Sequence, residues 1–152
     1  MKRVQSATRV AMTTSTHFSI DVPDLAAGLR FYGAVFGFAE IARPFPTMAV
    51  CDAGNATLCL HEKPEGSAPA PGSDDRRRYA RHWTPVHLDL HVPALDTVLA
   101  RIRAEGGTVE REFRGVGPKD VAFCSDPFGH GFCVIEDAPS EHKLMNPETA
   151  QS

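Results

Sequence analysis

"HLDLHVPAL" occupies residues 87–95, and "HFSIDVPDL" occupies residues 17–25. A histidine opens each stretch, and every second position after it is apolar: Phe18, Ile20 and Val22 in one, Leu88, Leu90 and Val92 in the other. Alternation of this kind marks a strand with one buried face and one polar face. The same pattern written twice, about seventy residues apart, points to a duplicated module.

The likeness runs on past these strands. Pro23 and Pro93 follow them, and each is followed by a helical stripe. Leu25, Leu29, Tyr32 and Phe36 form the first stripe, and Leu95, Val98, Leu99 and Ile102 the second, as expected of helices lying on a sheet. Gly37 and Gly106 stand where left-handed caps end such helices. Strand-like runs then cover about 39–42, 47–53 and 56–62, and again about 108–116, 120–126 and 129–136. Turn chemistry joins the last two runs of each half, "DAGN" at 52–55 and "DPFG" at 126–129. Each half therefore reads strand–helix–strand–strand–strand.

These periods predict an α+β fold of two βαβββ modules, with a curved, mostly antiparallel sheet and helices on its outer face. Residues 15–62 make the first module and 86–137 the second, both within one domain of residues 15–137. Residues 63–85, rich in Pro, Gly and Ser in their first half, are expected to be an exposed linker. Its "RRRYAR" run, 76–81, is either a solvated charged loop or an anion site. Residues 1–14 and 138–152 are expected to be tails.

Composition excludes several classes. Hydrophobic residues make up 42% and charged residues 23%, as in globular domains. A formal charge of −3 is too small to steer nucleic acid or an anionic membrane, so neither is an expected partner. No apolar run approaches the roughly 18 residues that a membrane span needs. The start lacks the apolar core of a secretory signal, which gives a cytoplasmic expectation. Four cysteines in such a chain read as thiols or metal ligands rather than a disulfide framework.

Three stretches, "HFSIDVPDLAAGLRFYGAVFGF", "VHLDLHVPALDTVLARIRAEGGTV" and "VAFCSDPFGHGFCVIE", resemble the glyoxalase/bleomycin-resistance/extradiol-dioxygenase group, the vicinal oxygen chelate superfamily. The resemblance spans about residues 16–136. It implies a cup-shaped sheet formed by the two βαβββ modules, homodimers, and a small-molecule ligand held in the cup. In metal-using relatives, each module's first and fourth strands supply ligands. His17 and His87 match the first-strand positions, whereas Cys59 and Cys133 fall where those relatives usually carry glutamate.

Alternation itself sends these four residues to the face away from the helices, because Leu58, Leu60, Phe132 and Val134 take the core side. Ser19, His61, Asp89 and His91 share that face as candidate pocket residues, as does Asp21. A neutral histidine near pH 7 is the natural proton carrier among them. Glu136 falls on the other face and is not expected to be a ligand. His130, at the hairpin turn, is expected to be exposed, and Cys51 and Cys124 to be buried structural thiols.

Three functions fit. One is a metal-free binding protein of the bleomycin-resistance type, with Phe45, Pro46 and Trp83 lining an apolar pocket. Another is a metal-dependent lyase or dioxygenase relative using His17 and His87. The third is a zinc- or copper-binding protein whose His17, Cys59, His87 and Cys133 close a tetrahedron. The sequence leaves open whether an ion is bound; if one is, thiolate ligands favour zinc. Ordinary glyoxalase I chemistry, which needs an open position and a carboxylate, is disfavoured.

Overall fold

The structure is a computed structural model that describes residues 14–137. Of the expected tails, 1–14 and 138–152, all but Thr14 lies outside the described residues. The first module runs β1 (His17–Val22), α1 (Leu25–Phe36), β2 (Ala39–Phe45), β3 (Met48–Asp52) and β4 (Thr57–Glu62). The second repeats it as β5 (Leu88–Val92), α2 (Leu95–Ala104), β6 (Thr108–Phe113), β7 (Val121–Ser125) and β8 (Gly131–Glu136).

Each module folds into a four-stranded mixed sheet, ordered β1-β4-β3-β2 and β5-β8-β7-β6. The first strand of each module runs parallel to the last, and the remaining pairs are antiparallel. The α+β, two-module architecture is as the duplicated periods predicted, and no barrel closes among the described residues. The core contains Val22, Leu58, Leu60, Val92, Phe132 and Val134 from the strands, with Leu95, Val98, Leu99 and Ile102 from α2.

Local chemistry explains the element ends. Asp24 caps α1 by accepting the Ala27 N–H at 2.7 Å, and Gly37 closes it with φ of 75°. Glu62 at the end of β4 accepts the Leu25 N–H at 2.9 Å; Glu136 at the end of β8 accepts the Leu95 N–H at 2.9 Å. The module thus ties its last strand to the start of its own helix, which occupies Glu136 as the alternation required. In the "DPFG" turn, Asp126 Oδ1 accepts the N–H groups of Phe128 and His130, both at 2.9 Å.

Three details differ from the sequence-based expectation. Phe31 and Val35 are buried alongside the predicted α1 stripe, because α1 also faces the second module. There Phe31 meets Phe132 with ring centroids 6.4 Å apart, and Tyr32 donates to Asp126 Oδ2 at 2.8 Å. His87 sits one residue ahead of β5 instead of opening it. Residues 63–85 contain no regular strand or helix, yet they are pinned as a strap. Arg77 pairs with Asp21 at 2.6 Å, the Tyr79 hydroxyl donates to Lys63 O at 2.6 Å, and the His82 N–H donates to Gly129 O at 2.9 Å.

Candidate functional site

On the face of the second sheet away from the helices, register sets Asp89 beside Cys133, with Phe123 on the other side of Cys133. His87, two residues ahead of Asp89, shares that face. The His87 Nε2 lies 3.2 Å from Asp89 Oδ1. Together His87, Asp89 and Cys133 offer ligand atoms that all fall within 4.8 Å of one another, and no other group of three or more among the described residues does so.

The structure thus brings together two of the four sequence-predicted ligands, His87 and Cys133, and adds Asp89, first read as a pocket residue. His17 and Cys59 are outside this group. His17 is exposed, with Nε2 3.2 Å from Ser15 Oγ, and Cys59 is half-buried. The duplication explains the difference. Ser19 stands opposite Cys59 in the first sheet, as Asp89 stands opposite Cys133 in the second. The first module therefore lacks the carboxylate. The Ser19-for-Asp89 exchange was the signal in the sequence, visible only once the register is known.

Burial and the charge of Asp89, together with its hydrogen bond, push the Cys133 thiol up to about 11. At neutral pH Cys133 is therefore a protonated thiol that leans on a carboxylate. A borderline ion would fit the nitrogen, oxygen and sulfur donors of this trio, but it would have to displace that proton. A hard ion such as manganese or magnesium is poorly matched by the sulfur.

Trp83, from the strap, covers one end of the site. A Cβ at Gly131 would come within 2.8 Å of the indole, so only glycine leaves room for it. The indole meets His87 and Phe123 edge-on, each with centroids 5.7 Å apart. Arg81 lies 4.4 Å over the indole and also pairs with Glu110, which accepts the indole N–H at 3.3 Å.

Two clefts flank β5. One, of about 370 Å³, lies between β1 and β5. Its lining is mainly apolar, with Phe18, Ile20, Leu88, Leu90 and Phe132, and also includes Ser19, Asp21, His87 and His130. The other, of about 700 Å³, is lined by Asp89 and His91 together with Phe36, Phe38, Val98 and Arg101. Of the predicted pocket residues, Ser19 belongs to the first cleft and Asp89 and His91 to the second; His61 lines neither. His91 is engaged with Asp137 at 3.0 Å.

Other expectations need correction. His130 is half-buried, not exposed, because its Nε2 reaches Asp21 O at 2.7 Å. Phe45 is 62% exposed at the end of β2 and lines neither cleft, and Pro46 likewise lines neither. Cys51 and Cys124 are buried in the core, as expected.

A family model for the glyoxalase-like domain matches residues 17–135. No curated protein sequence matches the chain. Among solved structures, the fosfomycin resistance protein FosX of Listeria monocytogenes is 19% identical, with a TM-score of 0.63 over 88% of this chain and all of that one. A variant of that protein, 18% identical with a TM-score of 0.63, is described as complexed with manganese(II) and a dihydroxypropylphosphonic acid; the match covers 90% of this chain and 98% of that one. Lactoylglutathione lyase of Agrobacterium tumefaciens is 20% identical, with a TM-score of 0.57 over 91% of this chain and all of that one. At these identities the likeness is one of fold. The family match covers most of the chain, which belongs to the glyoxalase-like domain family of the vicinal oxygen chelate superfamily.

Proposed function

We propose that this glyoxalase-like chain is a small-molecule-binding protein, of the bleomycin-resistance type, that holds an apolar or aromatic ligand in the cleft between β1 and β5. The observation that carries this reading is the cleft itself: about 370 Å³, lined mainly by apolar side chains with a few polar residues among them, the composition of a ligand site. His87 is among its lining residues, and Trp83 rests against the His87 imidazole. The test is titration of the metal-free chain with an aromatic anion, 8-anilinonaphthalene-1-sulfonate. Saturable one-to-one binding supports the reading, and its absence overturns it.

The second reading is a metal centre, and the convergence of His87, Asp89 and Cys133 favours it. Those three would hold a zinc-class ion and leave a coordination position open for a substrate, as a lyase or dioxygenase relative requires. The closed His17–Cys59–His87–Cys133 tetrahedron is a further form of the proposal. It calls for a second copy of the chain to supply His17 and Cys59. Homodimerisation belongs to the same proposal, since β1 and β5 each end a sheet with one edge unpaired among the described residues. Elemental analysis of purified protein separates these readings. A reducing, cytoplasmic location is also proposed, on the strength of four free thiols. No helix among the described residues is long and apolar enough to cross a membrane.

A further inference from the structure

His82 on the strap and His130 on the β7–β8 hairpin face each other, His82 Nε2 lying 3.4 Å from His130 Nδ1. Each ring's other nitrogen is committed. His82 Nδ1 donates to Ala80 O at 2.8 Å, and His130 Nε2 donates to Asp21 O at 2.7 Å. Carbonyl oxygens only accept, so both of those nitrogens carry hydrogen. In the neutral rings the two facing nitrogens therefore both present lone pairs, and neither has a proton for the other. Something electrophilic belongs between them.

We propose that His82 and His130 form a second metal site, taking a zinc-class divalent transition ion with water completing its coordination. Two imidazole nitrogens bound to one ion at about 2.0–2.1 Å and a tetrahedral angle lie roughly 3.4 Å apart. A shared proton would instead draw them to about 2.7–3.2 Å. Anchoring the far nitrogen of each ring on a carbonyl is how metal-binding histidines are commonly oriented. Both rings are half-buried, which leaves the site reachable from solvent. The nearest cationic side chain along the strap, Arg81, is already paired with Glu110.

The ion would act as a clamp. The strap passes so close to the hairpin that a Cβ at Gly129 would fall 2.3 Å from Ala80 O. His82 directly precedes Trp83, so fixing His82 to the hairpin also holds the indole on Gly131. This site is separate from the His87–Asp89–Cys133 trio and does not depend on the function proposed above.

The test titrates the full chain with cobalt(II) alone, following its visible absorption and the quenching of Trp83, the sole tryptophan. Three proteins are compared: the parent chain, a His87→Ala/Cys133→Ser double variant, and His82→Ala. The double variant should keep one equivalent of tight cobalt with tryptophan quenching. His82→Ala should weaken that binding at least ten-fold. Far-ultraviolet dichroism checks folding, and His82→Gln replaces His82→Ala if the alanine variant is unfolded. Equal quenching in the folded His82 variant, loss of binding in the double variant alone, or no binding at millimolar cobalt would each overturn the proposal.

Discussion

Trp83 packs directly on Gly131, so closely that a methyl group at position 131 would stand 2.8 Å from the indole. A strap residue thereby becomes a wall of the sheet face that carries His87, Asp89 and Cys133. Gly131→Ala is expected to displace the indole at a cost of about 1–3 kcal/mol in stability, the usual range for overpacking. Because Trp83 is the only tryptophan, its emission should shift to the red, and denaturant unfolding should report the loss.

The modules share a device that secures their helices. Glu62 and Glu136 each accept the first backbone N–H of a helix at 2.9 Å. Replacing either with alanine should cost about 0.5–2 kcal/mol, as for other helix-start caps. The double variant should lose the sum of the two, since the sites are separate. Urea unfolding of the three variants checks both points.

The Tyr32–Asp126 bond joins α1 to the second module inside the core. Tyr32→Phe leaves one buried carboxylate oxygen without its donor, for an expected loss of about 1–3 kcal/mol. Burial first, then the charge and hydrogen bond of Asp126, raise the Tyr32 hydroxyl well above its ordinary range, so it stays protonated as a donor. Thermal unfolding of the variant at neutral pH is the measurement.

Thiol titration should set the alkaline limit. Burial raises Cys133 to about 11 and Cys124 to about 12, against 9.0 for a free thiol. Their contribution to stability is complete below the unfolded value. It falls as pH rises through 9 towards 11–12, because the unfolded chain releases those protons first. Melting temperature under reducing conditions should therefore hold to about pH 8.5 and then fall. Cys124→Ala should flatten that fall while lowering stability at neutral pH.

The duplicated architecture was legible because period-two and period-3.6 patterns report which face of an element is buried, and both copies carried them. Val22, Leu58, Leu60, Val92, Phe132 and Val134 were placed correctly on that basis. The trio was only half legible. Alternation named the face of His87, Asp89 and Cys133, but the partner of each came from parallel register, which periodicity does not encode. Phe31 and Val35 escaped because α1 buries two sides, one against the partner module. The strap escaped because Arg77–Asp21, Tyr79–Lys63 and the close pass over Gly129 are long-range contacts between residues of ordinary loop composition.

The most direct test of ligand binding between β1 and β5 is titration of Trp83 fluorescence with 8-anilinonaphthalene-1-sulfonate after chelator treatment, in the parent chain and in Ser19→Phe. Ser19 is exposed and lines the cleft, so phenylalanine there fills the space without entering the core. The account predicts saturable one-to-one binding in the parent and at least ten-fold weaker binding in a Ser19→Phe protein that melts normally. Equal binding by both proteins, or a parent that binds only after metal is restored, would contradict it.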